Sequence, residues 1–83
     1  MHQLIIERKA RRDIESLPDS VLQDIIDAVQ NLACTPRPRG VKKLIGKDGW
    51  RIRINDYRVL YTIDDKQKIV AIYRVKHRKD AYR

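Results

Sequence analysis

Hydrophobic and polar positions change period along the chain, and each change marks an element. The run HQLIIE, residues 2–7, is short, apolar and rich in branched side chains, as a first strand requires. Ala10, Ile14 and Leu17 then recur at helical spacing, with arginines and Asp13 between them. Pro18 interrupts, because proline cannot continue a helix interior but suits the start of a new helix. In PDSVLQDIIDAVQNLAC, residues 18–34, the positions Val21, Leu22, Ile25, Ile26, Val29, Leu32 and Ala33 form one apolar stripe. Gln23, Asp24, Asp27 and Gln30 lie opposite. Asp19 or Ser20 is expected to cap this helix, with Gln23 three residues after Ser20 completing a capping box. The tight corner between the helices predicts an antiparallel hairpin.

The second half changes to a period of two. TPRPRG is a stiff loop that ends the helix. VKKLIG predicts a short strand, and Lys47-Asp48-Gly49 a turn. WRIRI, RVLYTI and KIVAIYRVK follow as strands, separated by the turn sequences NDY and DDKQ. Such short connections imply antiparallel pairing. The order β-α-α-β-β-β predicts an α+β fold, a twisted antiparallel sheet with the two-helix hairpin packed on one face, in a single domain over residues 1–83. The terminal HRKDAYR is polar and is expected against the sheet edge.

Alternation sorts the strand residues by face. Trp50, Ile52 and Ile54 share the side that the helices must cover, so Arg51 and Arg53 point away from them. Keeping Val59 and Ile63 inward puts Arg58 on the same side as those arginines. In the last strand Ile69, Ala71, Tyr73 and Val75 form the more continuous apolar set, which leaves Arg74 and Lys76 on the basic surface with His77 and Arg78 at its end. Like charges on neighbouring strands repel, so the cluster carries a structural cost. Outward arginines can serve solubility or block edge pairing, which explains one or two such residues better than a cluster. The planar guanidinium fork fits phosphate bidentately and keeps its charge at any ordinary pH.

Charge sharpens this picture. Residues 1–36 hold four basic and six acidic side chains, a net of −2, and residues 37–83 hold fifteen and five, a net of +10. A basic half of this kind attracts polyanions, nucleic acid or an acidic protein. No basic amphipathic helix and no apolar run of transmembrane length is present, so a membrane partner is not expected. The single Cys34 predicts no internal disulfide and, with no signal peptide in view, a reducing cytoplasm. CxxC, HExxH, P-loop and GxGxxG motifs are missing, and the two histidines lie at opposite ends, so neither a cofactor nor a metal site is expected.

The segments VKKLIG, GWRIRINDYRVLYTI and VAIYRVKHRKDAYR resemble the RelE/ParE superfamily of bacterial toxins from type II toxin–antitoxin pairs, most of all its RelE branch. The resemblance covers almost the whole chain, with the helical hairpin and TPRPRG in the corresponding places. It implies a small sheet with two helices, similar in outline to microbial ribonucleases. It also implies metal-independent cleavage of messenger RNA in the ribosomal A site. There the substrate 2′-hydroxyl attacks the adjacent phosphorus, leaving a 2′,3′-cyclic phosphate, and a cognate antitoxin restrains the toxin. Operator DNA would be reached only through that antitoxin.

Residue by residue, the resemblance gives Arg51 and Arg53 the basic positions of the first active-site strand and Arg58 the phosphate contact on the next. It gives Arg78 leaving-group protonation or phosphate contact, and Tyr82 the C-terminal tyrosine that stacks on or orients the base. Arg74, Lys76 and Lys43 are expected to bind RNA around this centre. Some RelE toxins carry lysines where Arg51 and Arg53 stand, and one of those lysines is proposed there as general base. Arginine is a poor base, so either these side chains only stabilise charge or His77 transfers the proton. The blander readings are an exposed His77 at a strand end and a Tyr82 that pins the terminus. Two other functions stay open at this point: a ParE-like toxin that inhibits gyrase through protein contacts, and an RNA-binding module without chemistry.

Overall fold

A computed structural model describes residues 1–46 and 48–79. Strand β1 (Gln3–Ile6) leads into helices α1 (Arg8–Glu15) and α2 (Asp19–Cys34). Strands β2 (Lys42–Lys43), β3 (Trp50–Ile54), β4 (Tyr57–Asp64) and β5 (Ile69–His77) follow. They form one five-stranded sheet in the order β1-β5-β4-β3-β2. The fold is α+β, as the periodicities predict, with one difference in the pairing. β1 runs parallel to β5, so the sheet is mixed. The two helices carry the chain from the β1 edge of the sheet to β2 at the other edge, and the antiparallel run β2 to β5 returns to pair with β1.

The core lies between α2 and the two central strands. Ile25, Val29 and Leu32 of the α2 stripe meet Val59 and Tyr61 of β4 and Val70, Ile72 and Val75 of β5, with Ala10 of α1 completing the cluster. α2 starts one residue past Pro18, whose carbonyl accepts from the amides of Val21 and Leu22, each at 3.1 Å. The expected capping box is not formed. The helix starts too early for Ser20 to stand at its N-cap, and Gln23 donates to Asp27 one turn on at 2.8 Å.

A β-bulge corrects the face assignment of β5. Leu60 pairs with Arg74 but Tyr61 pairs with Ile72, so Tyr73 is an extra residue on β5. The alternation inverts there. Val70 and Ile72 are the buried positions before the bulge, where Ile69 and Ala71 had been expected, and Val75 is buried after it. Both halves of β5 thus feed the core, and Arg74 and Lys76 still share the face opposite the helices by register.

Candidate active site: a cleft of arginines on the open face

Register assembles the basic residues. Arg53 lies directly across from Arg58, and Arg58 from Lys76. The next row holds Lys42, Arg51, Leu60 and Arg74. The two-residue turn Asn55-Asp56 joins Arg53's strand to Arg58's. Asn55 sits at φ 54, a left-handed conformation that asparagine tolerates. Its side-chain amide donates to Asp24 of α2 at 3.1 Å, which fixes the turn against the helix layer.

Gly40, Lys42, Arg51, Arg53 and Arg58 line a cleft of about 370 Å³. Arg58 forms its floor at 8% exposure, while Arg53 is exposed and Arg51 half-buried. Gly40, at φ +88, turns the chain out of the proline loop and into β2, in a conformation that side chains with a Cβ rarely adopt. A buried guanidinium beside two more accessible ones makes a concave, permanently positive surface. Its chemistry suits an oxyanion that gains charge, such as a phosphodiester under attack.

The other expected site residues divide. Lys76 shares the arginine face. Arg78 sits past the end of β5, where its amide donates to the carbonyl of Asp56 at 2.7 Å and its guanidinium lies 3.9 Å from the Asp56 carboxylate. It is exposed and does not line the arginine cleft. Tyr82 lies outside the described residues.

Three expectations are corrected. Arg74 does not join a free basic surface. Its Nε donates to Asp13 at 2.8 Å, and the same carboxylate accepts from the Val75 amide at 2.9 Å. β1 stops pairing at Ile72, so beyond it Asp13 takes the place of a neighbouring strand. That hydrogen bond holds Arg74 above the usual guanidinium range, against its partial burial. His77 is paired with Tyr57 on the helix side of the sheet. Its ring meets Tyr57 edge-on at 5.1 Å, and its Nδ1 accepts from the Lys79 amide. It lines a separate cavity of about 440 Å³ with Asp13, Ser16 and Tyr57 and does not line the arginine cleft. Lys43 pairs with Trp50, so it too points to the helix side, with its ammonium 5.8 Å from the centre of the Trp50 ring. Lys42 occupies the cleft position instead. Sequence reasoning missed Lys42 and Gly40. The signal for Lys42 was available, because only one of two adjacent lysines can share a face with Arg51.

Trp50 anchors the loop beside the cleft. The Arg37 guanidinium lies 5.0 Å from its ring centre and is held by Asp65 at 2.9 Å. Hydrogen bonds from Arg37 and then His2 hold the Asp65 carboxyl below its ordinary range.

The family model for the ParE toxin of type II toxin–antitoxin systems, parDE, matches residues 4–82. This chain belongs to that toxin family. Its relatives place it on the RelE side of the superfamily. It is 38% identical over 78 residues to toxin RelG of Mycobacterium tuberculosis, covering 89% of this chain and 87% of that one. Its fold superposes on the RelBE2 toxin–antitoxin complex of the same organism with a TM-score of 0.81 and 32% identity, over 92% of this chain and 96% of the other. The RelE–RelB complex of Pyrococcus horikoshii gives a TM-score of 0.82 and 30% identity, over 93% and 94%. The chain is therefore a RelE-like toxin of a type II toxin–antitoxin system. Among the described residues of this toxin, no helix is long and apolar enough to cross a membrane.

Proposed function

We propose that this toxin is an endoribonuclease that cleaves messenger RNA on the ribosome, with the arginine cleft as its phosphate site. One observation carries the reading: Arg51, Arg53 and Arg58 converge with Lys42 on one cleft. The scissile phosphate would sit over the buried Arg58, with Arg51 and Arg53 donating to its non-bridging oxygens. Attack by the 2′-hydroxyl adds negative charge to those oxygens, and fixed guanidinium donors stabilise that charge without reorganising. Lys76 and Arg78 extend the positive field along the RNA strand on either side. The protein held by a RelE toxin in the solved complexes is RelB, and here a cognate antitoxin would cover the cleft or displace the C-terminal segment that carries Tyr82.

The test uses purified protein with ribosome-bound message. Arg51→Ala and Arg53→Ala are each expected to slow cleavage by about 100-fold or more, the usual loss for one transition-state donor, with unchanged melting temperature. Arg58→Ala is expected to lose at least as much, and its melting curve shows whether the buried position also supports the fold. Cleavage at the wild-type rate by all three variants would remove the cleft from the mechanism. Inhibition of supercoiling by gyrase with no RNA scission would replace the nuclease reading by the gyrase one.

A further inference from the structure

On the reading of the cleft as an RNA-cleaving site, attack by the 2′-hydroxyl requires a group that takes its proton. Three of the four cationic lining residues are arginines, and a guanidinium does not give up its proton at ordinary pH. His77, the obvious candidate by side-chain chemistry, faces the other side of the sheet, with its ring against Tyr57 and its Nδ1 occupied by the Lys79 amide. Asp56, at the turn, lies toward Arg78 and does not line the cleft. Among the described lining residues, Lys42 alone has a nitrogen that can exist as a neutral amine.

We infer that Lys42 is the general base of this cleft. The register sets it directly across from Arg51, on the same face and one strand further out. It is exposed on an edge strand of two residues, so the proton that it accepts can pass to solvent. The neutral Nζ of Lys42 takes the 2′-hydroxyl proton while the 2′-oxygen forms its bond to phosphorus. The phosphorus–5′-oxygen bond breaks, and the departing 5′-oxygen takes a proton from water. The ammonium of Lys42 then returns its proton to solvent, which closes the balance. Arg51, Arg53 and Arg58 carry the charge of the phosphorane throughout, and proton transfer belongs to the neighbouring lysine.

Lys42→Arg separates the two roles, because it keeps the positive charge and removes the neutral amine. Single-turnover cleavage at saturating ribosome-bound message is expected to fall by about 100-fold or more in this variant, the lower range for loss of a general base, with affinity for the ribosome unchanged. Lys43→Arg, next in the chain but on the other face, is expected to cleave like the wild type. Lys42→Ala is expected to regain part of its activity when ethylamine is supplied. A message with sulfur in place of the scissile 5′-oxygen has a leaving group that needs no proton, and the Lys42→Arg defect should persist on it. Wild-type cleavage rates in Lys42→Arg, or a defect that disappears on the sulfur substrate, would overturn the assignment of Lys42 and leave the arginine cleft standing. No cleavage by the wild-type protein would overturn both.

Discussion

Tyr61 is fully enclosed in the core, and its hydroxyl donates to the carbonyl of Pro36 at 2.7 Å. Burial pushes this phenol up from 10.0 to about 12, with the Arg37 charge pulling weakly the other way. A folded value above the unfolded one means that the fold favours the neutral form. Its contribution is fully present below pH 10 and is lost as pH rises toward about 12. That rise corresponds to a stability change of roughly 3 kcal/mol. Tyr61→Phe should therefore flatten the alkaline arm of the stability profile, measured by urea unfolding at a series of pH values, while costing about 1 kcal/mol at neutral pH for the lost hydrogen bond. An unchanged alkaline arm would show that another group controls it. The same scale shows what one residue's register decides. Lys42 and Lys43 are chemically identical in the sequence, yet one lines the arginine cleft and the other lies beside Trp50. Arg74 follows the alternation onto the basic face, but Asp13, sixty-one positions earlier, draws it aside. Alternation predicts a face. It does not predict which long side chains find a carboxylate across the fold.

Elements add constraints that no single residue displays. Gly49 is buried where the chain enters β3, and a Cβ built there would meet the Tyr73 hydroxyl at 3.0 Å and Leu44 Cδ1 at 3.2 Å. Tyr73 is the extra residue of the β5 bulge, and its hydroxyl reaches this point. Gly49→Ala should destabilise the toxin by about 1 kcal/mol, the mild end of overpacking, since both neighbours are side-chain ends that can yield. In a Tyr73→Phe background, which removes the nearest atom, the alanine should cost less. Denaturant titration of the double-mutant cycle checks this, and strictly additive effects would contradict the contact. The helices, the strands and the Asn55-Asp56 turn were all legible from period and turn chemistry. The bulge was not, because Ile69, Val70, Ala71 and Ile72 are all apolar and either face assignment satisfies the local pattern. The parallel pairing of β1 was also hidden. Its partner lies at the other end of the chain, and the run HQLIIE carries no signal of strand direction.

At the scale of the whole molecule, the acidic residues of α2 and the basic residues of the open sheet face lie on different layers. α2 turns Gln23, Asp24 and Asp27 to solvent, while the open sheet face carries Lys42, Arg51, Arg53, Arg58 and Lys76. A positive cleft on one side of a small domain orients it toward a polyanion and makes association strongly dependent on salt. The RelE-like fold, the family and the three central arginines follow from the sequence. The separation of His77 from them, and the entry of Lys42, come from the register of strands distant in sequence. The most direct measurement is the position of a substrate phosphate, obtained from a structure of this toxin on a ribosome whose message carries 2′-O-methyl groups and so cannot be cut. The account predicts a phosphate within hydrogen-bonding distance of the guanidiniums of Arg51, Arg53 and Arg58, with the modified 2′-oxygen beside Lys42. RNA tracking instead along Arg37, Lys43 and Trp50, with the arginine cleft empty, would contradict it.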